Sequence, residues 1–365
     1  MRIAHVTDGY LPRLGGIETQ VHDLARAHLA AGHDAEIITA TPGPRDDGPV
    51  VHRPSRDRDH PSAGAVIATA TDRALDGGYD VLHIHLSIAS PLATSVLWRA
   101  ARARRPVVAT MHSLWGPAEP ALTVARRLLG DRAHAVRWTA VSSAAATPLQ
   151  RRLGVPVAVV PNGVDVNWWA AARRRCEPES LRALSVMRLS GRKRPVPLVR
   201  MLGDAARAAR SSSPVGLTLV GDGRLAARTA HRAARDELVD LSLTGRLDRG
   251  EIRQLTAEHT LYLAPAPLES FGLAALEARS AGLPVVAFRH SGVADFVRDG
   301  WDGVLVDDDD GLTAAVAALI RAPEDLRRLR TNARRHRPRL GWPVTLAGYE
   351  RSYDHAVGRR TTVLA

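Results

Sequence analysis

Residues 261–288 read LYLAPAPLESFGLAALEARSAGLPVVAF, and this stretch decides the fold. Leu261–Ala264 is a short apolar run, the length of a buried strand. Phe271–Ala281 reads as a helix, and Pro284–Phe288 as the next strand. A strand, a crossover helix and a second strand in that order build a parallel sheet.

Outward from this unit the same alternation fills the chain. On the C-terminal side of the middle, strands are expected at Leu184–Arg188, Gly216–Val220 and Val239–Thr244, with helices near Pro197–Arg210, Arg224–Glu237, Arg249–His259 and Leu312–Ile320. On the N-terminal side, strands are expected at Arg2–Thr7, Glu36–Thr39, Asp80–His85, Pro106–Met111, Trp138–Val141 and Val157–Val160. Helices there fall at Glu18–Ala31, Ser90–Arg104 and Ser143–Arg152. Pro161–Pro178 breaks the rhythm with a turn, paired tryptophans and a charge run. The expected class is therefore α/β, with two facing Rossmann-like domains, parallel sheets and an interdomain cleft. The boundaries read as 1–172 for the first domain, joined by a C-terminal helix within 343–365, and 173–342 for the second.

Composition narrows the classes. The chain has 365 residues, 45% of them hydrophobic, which suffices for two cores and excludes general disorder. No apolar run reaches the ~20 residues of a membrane span, and MRIAHVTD at the start reads as a strand rather than a secretory leader. The single Cys176 permits no intrachain disulfide and fits a reducing, cytoplasmic compartment of a bacterial cell. The net charge is +12, yet 49 of the 50 basic residues are Arg and one is Lys193, which looks like a codon bias rather than a binding surface. Basic helical stretches such as Ala121–Trp138 suit a solvated face, or peripheral contact with an anionic membrane on its inner face.

Ligands of such sheets sit beyond the carboxyl ends of the strands, so residues just after strands are the candidates. Glu269 and Ser270 precede the helix, and Phe271, Gly272 and Leu273 form its first turn, whose amides and dipole suit a phosphate. Glu277 lies far enough along that helix, roughly 9 Å by rise, to meet a ribose attached to that phosphate. Arg188 and Lys193 follow the strand Leu184–Arg188, where two cations can hold one diphosphate. His112 follows Pro106–Met111, and His83 and His85 alternate along one strand without a third ligand that would make a metal site. Asp57-Arg58-Asp59 has the D-x-D form of a metal-binding pair, but its Pro-flanked polar setting reads as a solvated loop.

Taken together, these motifs resemble retaining glycosyltransferases of family 4, whose two-domain architecture is called GT-B. E-x7-E with an internal S-F-G at 269–277 resembles the C-terminal signature of that family, and Arg188-Leu189-x-x-x-Lys193 its diphosphate clamp. Gly15-Gly16-Ile17-Glu18 resembles its glycine loop, Val159–Asp165 (VVPNGVD) the segment before its linker, and Gly221-Asp222-Gly223 its G-D-G turn. Met187 and Arg194-Pro195 stand where the family usually has Gly on either side of the clamp, so the loop is expected to differ locally.

The resemblance implies transfer of a hexose from a UDP- or GDP-type sugar to a hydroxyl acceptor, with retention and without metal or cofactor. It assigns His112, Glu269, Arg188 and Lys193 to catalysis, and Gly15, Gly16, Ser270, Phe271, Gly272, Leu273 and Glu277 to the donor. His85 and Asn162 are expected on the acceptor side. The competing readings are a nucleotide-sugar epimerase of similar shape and a basic nucleic-acid-binding protein. The first is opposed by E-x7-E and the clamp, the second by an aromatic content of 4%, and no nucleic-acid partner is expected.

Overall fold

In the computed structural model, residues 1–44, 48–54, 62–172 and 180–358 are described here. Asp57, Asp59 and Cys176 lie outside them. The chain divides into two compact units, 1–163 with 342–365, and 164–341. The division at Gly163/Val164 falls before the expected boundary at 172. The reason is local: the Val164 amide donates to Leu340 O, and the short helix at 166–170 packs on a helix of the second unit.

In the first unit, β1 (Arg2–Thr7) leads to α1 (Gly16–Ala30), β2 (Asp34–Thr39), β3 (Val50–His52) and α2 (Ala63–Asp76). Then come β4 (Val81–Leu86), α3 (Pro91–Arg102), β5 (Val107–Met111), α4 (Pro120–Leu129), β6 (Arg137–Ala140), α5 (Ser143–Leu153) and β7 (Val157–Val159). The strands form a parallel sheet in the order β3-β2-β1-β4-β5-β6-β7. One face carries the alternate residues Ala4, Val6, Leu82, Ile84, Ala109 and Met111 into a fully apolar core. The other face carries Ile3, His5, Val81, His83, His85, Val108 and Thr110, and is packed by Leu24 of α1 and by Tyr349 and Tyr353 near the C-terminus.

The second unit holds α6 (Val166–Ala170), β8 (Arg182–Val186), α7 (Pro195–Ala209), β9 (Val215–Val220), α8 (Ala226–Ala233) and β10 (Val239–Gly245). It continues with α9 (Arg249–Glu258), β11 (Leu261–Ala264), α10 (Leu273–Ser280), β12 (Val285–Phe288), β13 (Gly303–Val306), α11 (Asp309–Arg321) and α12 (Pro323–Arg335). The last helix, α13 (Trp342–Ala356), returns to the first unit. The second sheet is parallel, in the order β10-β9-β8-β11-β12-β13. Chain order reverses between β8 and β11, so the loops after these two strands flank the topological switch point.

Helix ends are fixed by side chains the sequence supplies. Asp248 and Glu251 form a capping box on α9, and Asp308 accepts from the Gly311 amide at the start of α11. Asp8 reaches from beyond β1 to accept from Leu92 and Ala93 amides at the start of α3. Arg194 adopts φ +62° at the N-cap of α7, a left-handed position that costs an L-residue roughly 1–2 kcal/mol. Both of its terminal nitrogens donate to Asp309, at 2.7 and 2.5 Å, which offsets that cost. This is how the loop accommodates Arg where Gly is usual. Among the described residues no helix is long and apolar enough to cross a membrane.

Helix α10 is anchored from behind. Arg279 is 1% exposed, pairs with Asp302 at 2.7 Å, and donates to the carbonyls of Ala333 and His336 at 2.6 Å each. Asp302 also accepts from Arg298. Burial alone would raise the Asp302 pKa, but hydrogen bonds from Arg279 and Arg298 hold it below the ordinary carboxylate value. Removing one partner strands a buried charge, so Asp302→Ala should cost about 3–5 kcal/mol in urea unfolding, whereas replacing both partners with apolar residues should recover most of it. An unchanged midpoint in Asp302→Ala would show that the pair holds nothing in place.

Candidate active site

In the second unit the expected donor residues come together around the switch point. β8 ends at Val186, so Arg188 and Lys193 stand in the following loop, and Glu269–Gly272 stand in the loop after β11. The Lys193 ammonium donates to Glu269 Oε2 at 2.5 Å, joining the two loops. Arg188 is exposed beside the buried Met187 and Leu189. α10 begins at Leu273, two residues later than the sequence suggests, because Gly272 occupies the left-handed region at φ +86°. Phe271 is buried, and Ser270 and Leu273 are half-buried. Glu277 is buried within α10, and Arg249 at the start of α9 donates to its Oε1 at 3.1 Å. Burial pushes the phenol of Tyr262 on β11 well above its usual value, and the charges of Glu269 and Glu277 push in the same direction.

Close backbone approach shapes both loops. A Cβ on Gly221 would lie 2.0 Å from Met187 O, and one on Gly223 2.5 Å from Leu189 O. The amides of Met187 and Leu189 donate to Val220 O and Asp222 O, both at 2.9 Å, so the G-D-G turn is the floor of the Arg188–Lys193 loop. On the other side, the Gly292 amide donates to Glu269 O at 2.8 Å, and a Cβ there would lie 2.0 Å from Ser270 O. Gly292 and Arg249 belong to the site's construction and were not read from the sequence. Gly292 sits in SGVAD, where only tertiary structure reveals that a backbone passes against it.

The first unit holds the remaining candidates. Gly15 precedes α1 in extended conformation, and a Cβ on it would meet Glu18 Oε2 at 2.3 Å; Gly16 opens the helix. The buried Glu18 carboxylate therefore fills the concavity of this glycine loop and pairs with Arg13 at 3.1 Å. Asn162 is buried, and its Oδ1 has no hydrogen-bond partner among the described residues. His112 follows β5 and is 5% exposed. His85 is 2% exposed, and its ring nitrogens face His5 and His112, so it points into the protein interior rather than towards an acceptor.

His5, His83 and His85 lie close enough together to suggest a metal centre. Their ring nitrogens are engaged in hydrogen bonds, one of them within the trio. His5 is engaged by His85 and His28, His83 by Tyr353 and Thr110, and His85 by His5 and His112, so all six nitrogens have partners. Burial holds every ring well below the ordinary imidazole value: His5 at about 3, His28 at about 2, His112 at about 4, with His83 and His85 also far down. Burial and these mutual hydrogen bonds both favour the neutral form of the rings. His5 and His28 escaped the sequence reading because strand register and α1 packing, not spacing, bring them to His83 and His85.

Two family descriptions match the chain: Glycosyltransferase Family 4 over residues 14–168, and Glycosyl transferases group 1 over residues 173–336. The D-inositol 3-phosphate glycosyltransferase 2 of Catenulispora acidiphila is 30% identical over 310 residues, spanning 77% of this chain and 72% of its own. A GDP-mannose-dependent alpha-(1-6)-phosphatidylinositol dimannoside mannosyltransferase of Mycobacterium tuberculosis is 29% identical over 373 residues, spanning 90% of each. The fold matches the crystal structure of Anabaena HepE in complex with UDP at a TM-score of 0.71 and 21% identity, covering 97% of this chain and all, 100%, of that one.

The buried imidazoles set a pH dependence whose sign is fixed. Below about pH 6.5 the unfolded chain binds protons that the folded rings refuse. Their contribution is complete above that value and is lost progressively as pH falls towards the folded-state values. The thermal midpoint should therefore drop between about pH 7.5 and about pH 5. A midpoint that stays level across this range would mean that the rings are charged in the fold.

Proposed function

The chain belongs to glycosyltransferase family 4 and is a glycosyltransferase using a nucleotide sugar, and on that premise we propose that it moves a hexose from a UDP- or GDP-type donor to a hydroxyl acceptor, with retention and without a divalent metal. One observation carries the reading. The loops after β8 and β11 are tied by the Lys193–Glu269 bond, which places the chain's single lysine beside the loop that opens α10.

In this proposal Arg188 and Lys193 hold the diphosphate, and the first amides of α10 face it with the positive end of the helix dipole. Glu277, steadied by Arg249, takes the ribose hydroxyls. Phe271 and Gly272 shape the turn, Ser270 and Leu273 complete it, and Glu269 exchanges between Lys193 and the sugar hydroxyls. From the first unit, Gly15 and Gly16 supply backbone to the donor, Asn162 serves the acceptor, and His112 orients the hexose. The acceptor oxygen attacks the anomeric carbon on the face the diphosphate leaves. The C–O bond to phosphate breaks as the new glycosidic bond forms, and the acceptor proton passes to the leaving phosphate oxygen. The two cations stabilise the departing charge in place of a metal.

Lys193→Ala and Arg188→Ala should each lower kcat/KM by about 1.5–3 kcal/mol, the loss of one charged hydrogen bond in the transition state. Glu277→Ala should raise the donor KM. Turnover should survive EDTA, and NMR of the product's anomeric proton should show the donor's configuration. Wild-type kinetics in both clamp variants, or activity abolished by chelation and restored by Mn²⁺, would overturn the assignment.

A further inference from the structure

The two loops that carry the candidate donor residues leave strands that part early. β8 and β11 share two register pairs, Ala183 with Leu261 and Leu184 with Tyr262, against five between β8 and β9. Along a parallel ladder, alternate residues turn both their N–H and their C=O to the same neighbour. The Met187 amide donates to Val220 O of β9, so the Val186 amide and carbonyl face β11. The Tyr262 amide donates to Pro284 O, just before β12, so the backbone of Leu263 faces β8. Continuing the register would bond the Val186 amide to Leu263 O, and the Val186 carbonyl to the amide of residue 265. Residue 265 is proline and has no N–H, so the second of these bonds cannot form.

Side chains take the place of the missing rungs. The Tyr262 hydroxyl accepts from the Val186 amide and donates to the Val186 carbonyl, both at 3.3 Å. Ser185 Oγ donates to Leu263 O at 2.6 Å. A neutral phenol can donate and accept at once, and burial, reinforced by the charges of Glu269 and Glu277, raises the Tyr262 pKa and keeps it neutral. The ring packs with Leu184, Ala275, Ala278 and Val285, and both hydroxyl-bearing residues are buried. Directly beyond this brace, one strand runs into the Arg188–Lys193 loop and the other, through Pro265–Leu268, into Glu269. The Lys193–Glu269 bond joins the same two loops further out.

We propose that Tyr262, with Ser185, is a positioning residue that sets the spacing of these two loops, so that Arg188, Lys193 and the first turn of α10 meet one diphosphate. This rests on the reading of the loops as the diphosphate site, and it extends that site to two hydroxyls beneath it. When Lys193 turns from Glu269 to a phosphate, the ion pair no longer joins the loops, and the hydroxyl brace holds them. Without the phenol hydroxyl, the Val186 amide and carbonyl lose these bonds and the root of the Arg188–Lys193 loop is released.

Titration of the full chain with UDP and with GDP, the tighter of the two then used throughout, gives the reference Kd. Tyr262→Phe keeps the buried ring and should weaken that nucleotide on the order of fivefold, and Ser185→Ala should act in the same direction. Tyr79→Phe is the matched control. It removes a phenol hydroxyl bonded to Glu36 at 2.6 Å in the first unit, so it should lower the thermal midpoint and leave the Kd unchanged. Hydrogen exchange in Tyr262→Phe should quicken over residues 186–193 and not in β9 or β13. A Kd unchanged in both Tyr262→Phe and Ser185→Ala, while Arg188→Ala and Lys193→Ala weaken binding, overturns the proposal. Exchange that quickens uniformly across the sheet overturns it too, since the hydroxyl would then serve stability alone. Absence of binding by either nucleotide, or a Kd unchanged in both Arg188→Ala and Lys193→Ala, instead overturns the reading on which it rests.

Discussion

A parallel sheet has to be covered on both faces, and every larger feature of this protein follows from how its two sheets meet that demand. In the second unit apolar side chains cover both faces of the sheet, and the switch point between β8 and β11 is left to polar loops. In the first unit one face is apolar, while the other places imidazoles and hydroxyls at its centre. Burying polar rings is costly unless their hydrogen bonds are made inside, which is why the imidazoles are joined end to end rather than scattered.

The strand-helix rhythm was legible because parallel strands, buried on both faces, are short apolar runs that stand out against amphipathic helices. The loops after β8 and β11 stood out for a different reason: their motifs resemble those of a known family, and the Lys193–Glu269 bond joins the two loops. What stayed hidden depends on neighbours far along the chain. β3 and α2 lie beside polar stretches with weak patterning, and α12 is so arginine-rich that its buried Leu326 and Leu329 are easily missed. Arg279 sits in the quoted E-A-R-S-A-G segment as one arginine among many, and only Asp302 and two carbonyls show it to be structural. His5 becomes His83's neighbour solely through the register of β1 against β4.

Charge shows the same dependence on partners. A formal +12 suggests a basic surface, yet many guanidinium groups are committed within the fold. Arg2 joins Asp34 and Glu36, Arg207 joins Asp204 and Asp236, Arg289 joins Asp299 and Asp307, and Arg151 with Arg152 holds Glu119. Glu36 alone gathers Arg2, His52, Arg73 and the Tyr79 hydroxyl; burial opposes its ionisation, but these partners hold its pKa at about 2. Much of the arginine is therefore paired locally, while the net +12, which already counts the acidic partners, stays on the molecule.

The return of α13 to the first unit has a consequence for the order in which the protein is assembled. A chain emerging from the ribosome completes residues 164–341 before it has made Tyr349 and Tyr353. The second unit can thus close while the first still lacks the helix that covers its imidazole face. Usual N-to-C domain maturation is inverted: the unit begun first is finished last. Until α13 arrives, His83 lacks its phenol partner and that face of the sheet is open to water. The nascent first unit should then hold weakly structured, protonatable histidines, and the docking of α13 is the event that dries and neutralises them.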